Sequence, residues 1–80
     1  MSPLESIIEH LNELLTDSTV PRNVKSKIDR IIESLNDSTD LSLRKNKALN
    51  ILDEISDDNN IQTYTRTQIW NIASMLEALD

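Results

Sequence analysis

The chain has no cysteine, no glycine and no phenylalanine, and only one histidine, one tryptophan and one tyrosine. Each absence excludes something. Without cysteine there is no disulfide and no thiolate metal site, and a cytoplasmic location is expected. Without glycine there is no Gly-rich loop to cradle a phosphate. Tight primed turns also lose their usual residue, which argues against a β-rich fold. Two aromatic side chains make no platform for stacking single-stranded bases. Basic residues are short as well, eight Lys and Arg against fourteen Asp and Glu, for a net charge of −6. Phosphate binding needs a basic face that displaces counterions, so a general nucleic-acid binder is not favoured. No apolar run approaches the roughly 20 residues of a membrane span. The acidic opening "MSPLESIIEHL" does not read as a secretory leader.

What remains is helical periodicity. Apolar residues recur in steps of three and four in four sets. They are Leu4, Ile7, Ile8, Leu11, Leu14 and Leu15; Val24, Ile28, Ile31, Ile32 and Leu35; Leu41, Ala48, Leu49, Ile51, Leu52 and Ile55; and Ile61, Ile69, Ile72, Met75, Leu76 and Leu79. The spacing predicts helices near 3–16, 21–36, 41–56 and 61–79. Ser2 is placed to cap the first, with Pro3 at its first position and Glu5 completing a capping box. Pro21 opens the second in the same way. Asp40 and Asn60 are the expected caps of the third and fourth. Asn36 and Asn59 are the candidates for left-handed helix ends in a chain without glycine. Short joints between helices of similar length favour antiparallel neighbours. The expected fold class is all-α, one domain over 1–80, a four-helix antiparallel up-and-down bundle.

The chain also repeats itself. Shifted by twenty residues, Asp17, Asp37 and Asp57 align, as do Ile32, Leu52 and Ile72, and Leu35, Ile55 and Met75. That spacing predicts a unit of one helix and one turn, with the aspartates satisfying exposed N–H groups at each joint. The pattern Asp17…Val24-Lys25…Ile28…Ile31…Leu35 resembles the second helix of a HEAT-type repeat, so two HEAT-like helical hairpins are the alternative architecture. The segments "TVPRNVK", "ILDEISDDNN" and "RTQIWNIASMLE" together resemble a small family of short, all-helical archaeal proteins with no assigned function. Pro21-Arg22-Asn23, Leu52-Asp53-Glu54-Ile55-Ser56 and Ile69-Trp70-Asn71 carry the likeness, from about residue 15 to residue 77. Asn59-Asn60-Ile61 and the charged "KSKIDR" depart from the family pattern. The resemblance implies a compact helical protein and brings no activity with it.

No chemistry assembles from the reactive residues. His10 is alone, and the di-metal sites of helical bundles need two Glu-x-x-His pairs. Asp53, Glu54, Asp57 and Asp58 read as an acidic turn, since a calcium loop would need its central glycine. No catalytic residue, metal site, cofactor or small-molecule substrate is implied, and the chain is not expected to be an enzyme. Two surfaces remain. Trp70 is turned away from the Ile69–Ile72–Leu76 stripe and either lids the core or anchors a partner. Ala73 shares its flank, and Tyr64 would extend the patch. Arg22, Lys25, Arg44, Lys45 and Arg66 form a local basic face or pair with nearby acids. A small bundle without staples has little stability margin, so a protein partner or a homo-oligomer is expected, with nucleic acid the less favoured partner.

Overall fold

In the computed structural model, which describes residues 2–79, four helices follow one another: α1 (Pro3–Leu15), α2 (Arg22–Leu35), α3 (Leu41–Ser56) and α4 (Thr63–Glu77). Among the described residues there are no strands. The joints show why each helix starts where it does. Ser2 Oγ accepts the Glu5 N–H at 3.2 Å and donates to the Glu5 carboxylate at 3.1 Å, so the expected cap is in place. Asp40 holds the cap position of α3, yet its side chain makes no capping bond; its carbonyl takes the Leu43 and Arg44 N–H groups instead.

Two starts differ from expectation. Pro21 sits at the cap of α2 and not inside it, in extended geometry at ψ 153°. The fourth helix begins at Thr63 after Gln62, not at Ile61 after Asn60. The cause is local. Asp58 Oδ1 accepts the Asn60 N–H at 2.8 Å, which folds 58–60 into a turn that cannot continue into helix. Ile61 is then drawn inward and buried before the helix starts, as Val20 is before α2.

The helix ends differ too. No described residue has positive φ, so neither Asn36 nor Asn59 is left-handed. Asn36 caps α2 in ordinary right-handed geometry. Left-handed φ costs a residue with a Cβ roughly 1–2 kcal/mol, and this chain has no glycine to avoid that cost. It satisfies its terminal carbonyls by other means, described below.

The helices close a ring: α1 packs on α2, α2 on α3, α3 on α4, and α4 on α1. The diagonal pairs do not approach backbone to backbone. Lys45, near the start of α3, reaches carbonyls at the end of α4, and Asn23, near the start of α2, reaches Asp58 beyond the end of α3. Neighbours therefore run antiparallel, in up-and-down order. The interior is aliphatic, and Ile7, Leu11, Val24, Ile28, Ile31, Leu35, Ile55, Ile69, Ile72 and Leu76 are all shielded from solvent. Stacked HEAT-type hairpins would set first helix on third and second on fourth, so that alternative finds no support. The radius of gyration, 11.7 Å, equals the value of about 11.6 Å for a closed globule of this length.

The internal repeat is present with a different unit. The structure pairs positions 41 apart, not 20. Ile7 corresponds to Ala48, Leu11 to Leu52, Leu14 to Ile55, Val20 to Ile61, Val24 to Thr65, Ile28 to Ile69, Ile31 to Ile72 and Leu35 to Leu76, and every one of these is buried. The joint aspartate obeys the same displacement: Asp17 matches Asp58, not Asp57. The unit is a hairpin of two helices. Adjacent helices in a ring run in opposite directions and bury opposite flanks, so only alternate helices are equivalent. The twenty-residue register accordingly fails at Ile32 and Met75, which are half-buried rather than core.

Candidate functional site

Trp70 lies on the outer flank of α4 and is 58% exposed. It does not lid the core, because the buried stripe of α4 is Thr65, Ile69, Ile72 and Leu76. Ala73 follows on the same flank, half-buried against the core. Tyr64 is 62% exposed. It stands six residues before Trp70, which at 3.6 residues per turn puts it about 120° away around the helix. The two aromatics thus flank the outer face of α4 and do not form one continuous patch. Leu43 is a third large exposed apolar side chain, on α3.

The five basic residues separate. Arg22, Lys25 and Arg66 lie where α2 and α4 begin, at one end of the bundle, and Arg44 and Lys45 lie at the other, where α3 begins. They do not make one face. Three of them instead hold helix ends. Arg44 Nη1 donates to the Leu35 carbonyl, the last of α2, at 3.0 Å. Arg66 donates through Nη1 to the Ser56 carbonyl, the last of α3, and through Nη2 to Asp58 O at 3.1 Å. Lys45 Nζ donates to Leu79 O, just past α4, at 2.7 Å. Hydroxyls help in the same way: Thr16 Oγ1 donates to Glu13 O at 2.8 Å and Ser56 Oγ to Asp53 O at 3.0 Å. These cations take the terminal carbonyls that a glycine-based cap would have satisfied through the backbone, and they lie at the negative end of the helix dipole. A sequence signal existed. Lys25, Arg44 and Arg66 are each the fourth residue of their helix, a placement that aims a long side chain back at the joint just crossed.

The joint aspartates are electrostatically tuned. Thr19 donates to Asp17 Oδ1 through its hydroxyl at 2.7 Å and its backbone N–H at 2.9 Å. Those bonds, with Lys25 nearby, hold the Asp17 carboxyl below the usual carboxylate range. The Asn60 N–H and then Asn23 Nδ2 do the same for Asp58. Asp53, Glu54 and Asp57 are exposed. Among the described residues no group of three or more His, Asp or Glu side chains is placed to hold a metal ion. His10 carries a buried Nδ1 without a hydrogen-bond partner; it occupies, 41 residues earlier, the place of the buried Ile51. Among the described residues no helix is long and apolar enough to cross a membrane.

The comparisons agree with this framework. The family model of the uncharacterised protein family UPF0147 matches residues 2–79. A UPF0147 protein of Archaeoglobus fulgidus is 40% identical over 76 residues, covering 95% of this chain and 87% of that protein. The UPF0147 protein MJ1419 of Methanocaldococcus jannaschii is 41% identical over 75 residues, covering 92% of this chain and 81% of that one. Both come from archaea. The crystal structure of a protein of unknown function, MMP1188, has 40% sequence identity to this chain and a TM-score of 0.91, covering 98% of this chain and 90% of that one. Neither the family nor these relatives bears a catalytic name. Four closed helices, a match that runs from Ser2 to Leu79 and two archaeal relatives at about two-fifths identity place this chain in the UPF0147 family.

Proposed function

We propose that this protein is a non-enzymatic interaction module of the cytoplasm, docking a protein partner on the outer flank of α4 around Trp70. The observation that carries the reading is the exposure of Trp70, 58% in a chain with one tryptophan. Tryptophan is enriched among residues that dominate interface energy. Covering its exposed ring, on the order of 100 Å², is worth about 2–3 kcal/mol. The half-buried Ala73 beside it leaves room for an incoming side chain. A nucleic-acid-associated role has less to draw on, because three of the five basic residues are engaged on helix-end carbonyls at two opposite ends.

The test compares the wild type with Trp70→Ala and Trp70→Phe, each tagged and purified from the native host. A partner that co-purifies with the wild type and Trp70→Phe, and is lost with Trp70→Ala at unchanged melting temperature, supports the reading. Co-purification indifferent to Trp70→Ala, or loss explained by unfolding, overturns it. Light scattering at two concentrations separates a second copy of the chain from a different partner.

A further inference from the structure

Among the described helices, only α4 has an outer face almost free of charge. Each of α1, α2 and α3 exposes at least three charged side chains, Glu5, Glu9 and Glu13 on α1 among them. On α4 the exposed side chains before the last residue are Thr63, Tyr64, Thr67, Trp70, Asn71 and Ser74. Arg66, the only cation of this helix, is turned back onto Ser56 O and Asp58 O. The uncharged strip runs most of the length of α4, about 22 Å at 1.5 Å per residue. Loss of charge with retention of Tyr and Trp is the composition of an interface centre.

Charge selects the occupant. Copies of a chain with net charge −6 repel one another, and the face of α4 is where two can meet without opposing like charges. A charged patch on a different partner would find no counter-charge along this strip and would be buried unpaired. The strip also matches itself. The exposed positions 63, 64, 67, 70, 71, 74, 77 and 78 read the same in both directions about the junction of Trp70 and Asn71. A two-fold axis at that point lays one α4 antiparallel on another, with 67 against 74, 70 against 71 and 64 against 77.

The chemistry follows that register. An indole N–H only donates and the Asn71 amide oxygen accepts; the Tyr64 hydroxyl donates and the Glu77 carboxylate accepts. Thr67 already donates its hydroxyl to Thr63 O at 3.1 Å, so it brings no unmet donor to Ser74. Thr67, Trp70, Asn71 and Ser74 stand at i, i+3, i+4 and i+7, the four corners of the hole that receives a knob from a facing helix. A face set by one helix is smaller than the roughly 800 Å² per partner of a standard interface, which makes the pairing reversible.

We propose that the partner docked on α4 is a second copy of this chain, in a two-fold dimer of antiparallel α4 helices with Trp70 of each copy seated over Asn71 of the other. This rests on the reading of Trp70 as a docking anchor and names its occupant. The experiment is sedimentation equilibrium from about 10 μM to about 1 mM. The wild type should show a reversible monomer–dimer equilibrium with a Kd on the order of 100 μM, tightening as added salt screens the repulsion between copies. Trp70→Ala and Ser74→Lys should each weaken it at least tenfold. Ser74→Lys lowers the net negative charge, so general electrostatics alone would strengthen association. Asn12→Lys on α1 makes the same charge change and should not weaken the dimer. All three side chains are exposed, and circular dichroism melts verify that the variants fold. A wild type monomeric at 1 mM overturns the dimer, as does a dimer indifferent to Ser74→Lys or weakened equally by Asn12→Lys. If the monomeric wild type still co-purifies a different protein through Trp70, the docking reading stands without the dimer; if it co-purifies none, both fail.

Discussion

Thr65→Val should make this protein more stable. Thr65 is fully buried near the start of α4, and its Oγ1 is without a hydrogen-bond partner. Its equivalent in the other hairpin, Val24, is equally buried. A buried hydroxyl left unpaired costs about 1–3 kcal/mol. Valine keeps the branched shape, and the two residues have nearly the same helix propensity. The substitution should therefore raise unfolding free energy by about 1–2 kcal/mol. In a chain of this size that is a rise in Tm of roughly 5–15 °C. Urea unfolding followed by circular dichroism measures it, with an unchanged slope showing that the extent of unfolding is the same. The reciprocal change, Val24→Thr, should cost a similar amount, which separates the missing hydrogen bond from any general preference for valine. If Thr65→Val leaves the midpoint unchanged or lowers it, the hydroxyl has a partner and the reasoning fails.

Arg66→Met strips donors from Ser56 O and Asp58 O and should destabilise by about 1–3 kcal/mol, read in the same urea assay; an effect below the error of the measurement would show that the clamp is ornamental. Lys45→Met should leave global stability nearly unchanged while the amides of the last turn of α4 exchange faster by hydrogen exchange, because only the Glu77 and Leu79 carbonyls lose their donor. Asp17 and Asp58 both have depressed carboxyl pKa values in the folded chain, so their contribution is complete above the unfolded value, about pH 4, and drains away as pH falls through the folded values. Asp58→Asn should accordingly flatten the acid limb of the stability profile, and a limb of unchanged slope would remove Asp58 from the account.

Helix number, order and the identity of the core were legible because burial imposes a 3.6-residue period that nothing else in this sequence contests. Ile7, Leu11, Ile28, Ile31, Ile69 and Ile72 announce themselves. The joints were harder for a definite reason. Asp57 and Asp58 are chemically alike, and only the bond from the Asn60 N–H to Asp58 Oδ1 decides which one makes the turn. Asn60 looks like a cap because its side-chain oxygen could accept first-turn N–H groups, yet it lies inside the turn that Asp58 makes, and α4 begins only at Thr63. The register of the repeat was misread because a shift of twenty also superimposes apolar residues, and only the observed burial of Val20, Ile61 and Thr65 reveals the longer period. The basic residues were read as a face, or as partners of nearby acids, because all five fall at helix starts; antiparallel neighbours already put the starts of α2 and α3 at opposite ends, and what the pattern did not show was that Arg44, Lys45 and Arg66 turn back onto helix-end carbonyls. Ser34 left no trace in the pattern either: a serine between Glu33 and Asp37 reads as surface, and its burial shows only in the folded chain.

Two hairpins that bury equivalent positions against each other have a consequence for how copies of this chain meet while folding. The face that α1 and α2 offer is the face that α3 and α4 need, whichever molecule supplies it. The five residues from Asn36 to Asp40 keep the native halves at high effective concentration. If that joint opens while the chain is crowded, two molecules can trade halves and regain every buried contact, an exchange that makes dimers at little energetic cost. Slow dilution should favour the monomer, and concentrated refolding should yield an interlocked pair with the same circular dichroism and twice the mass.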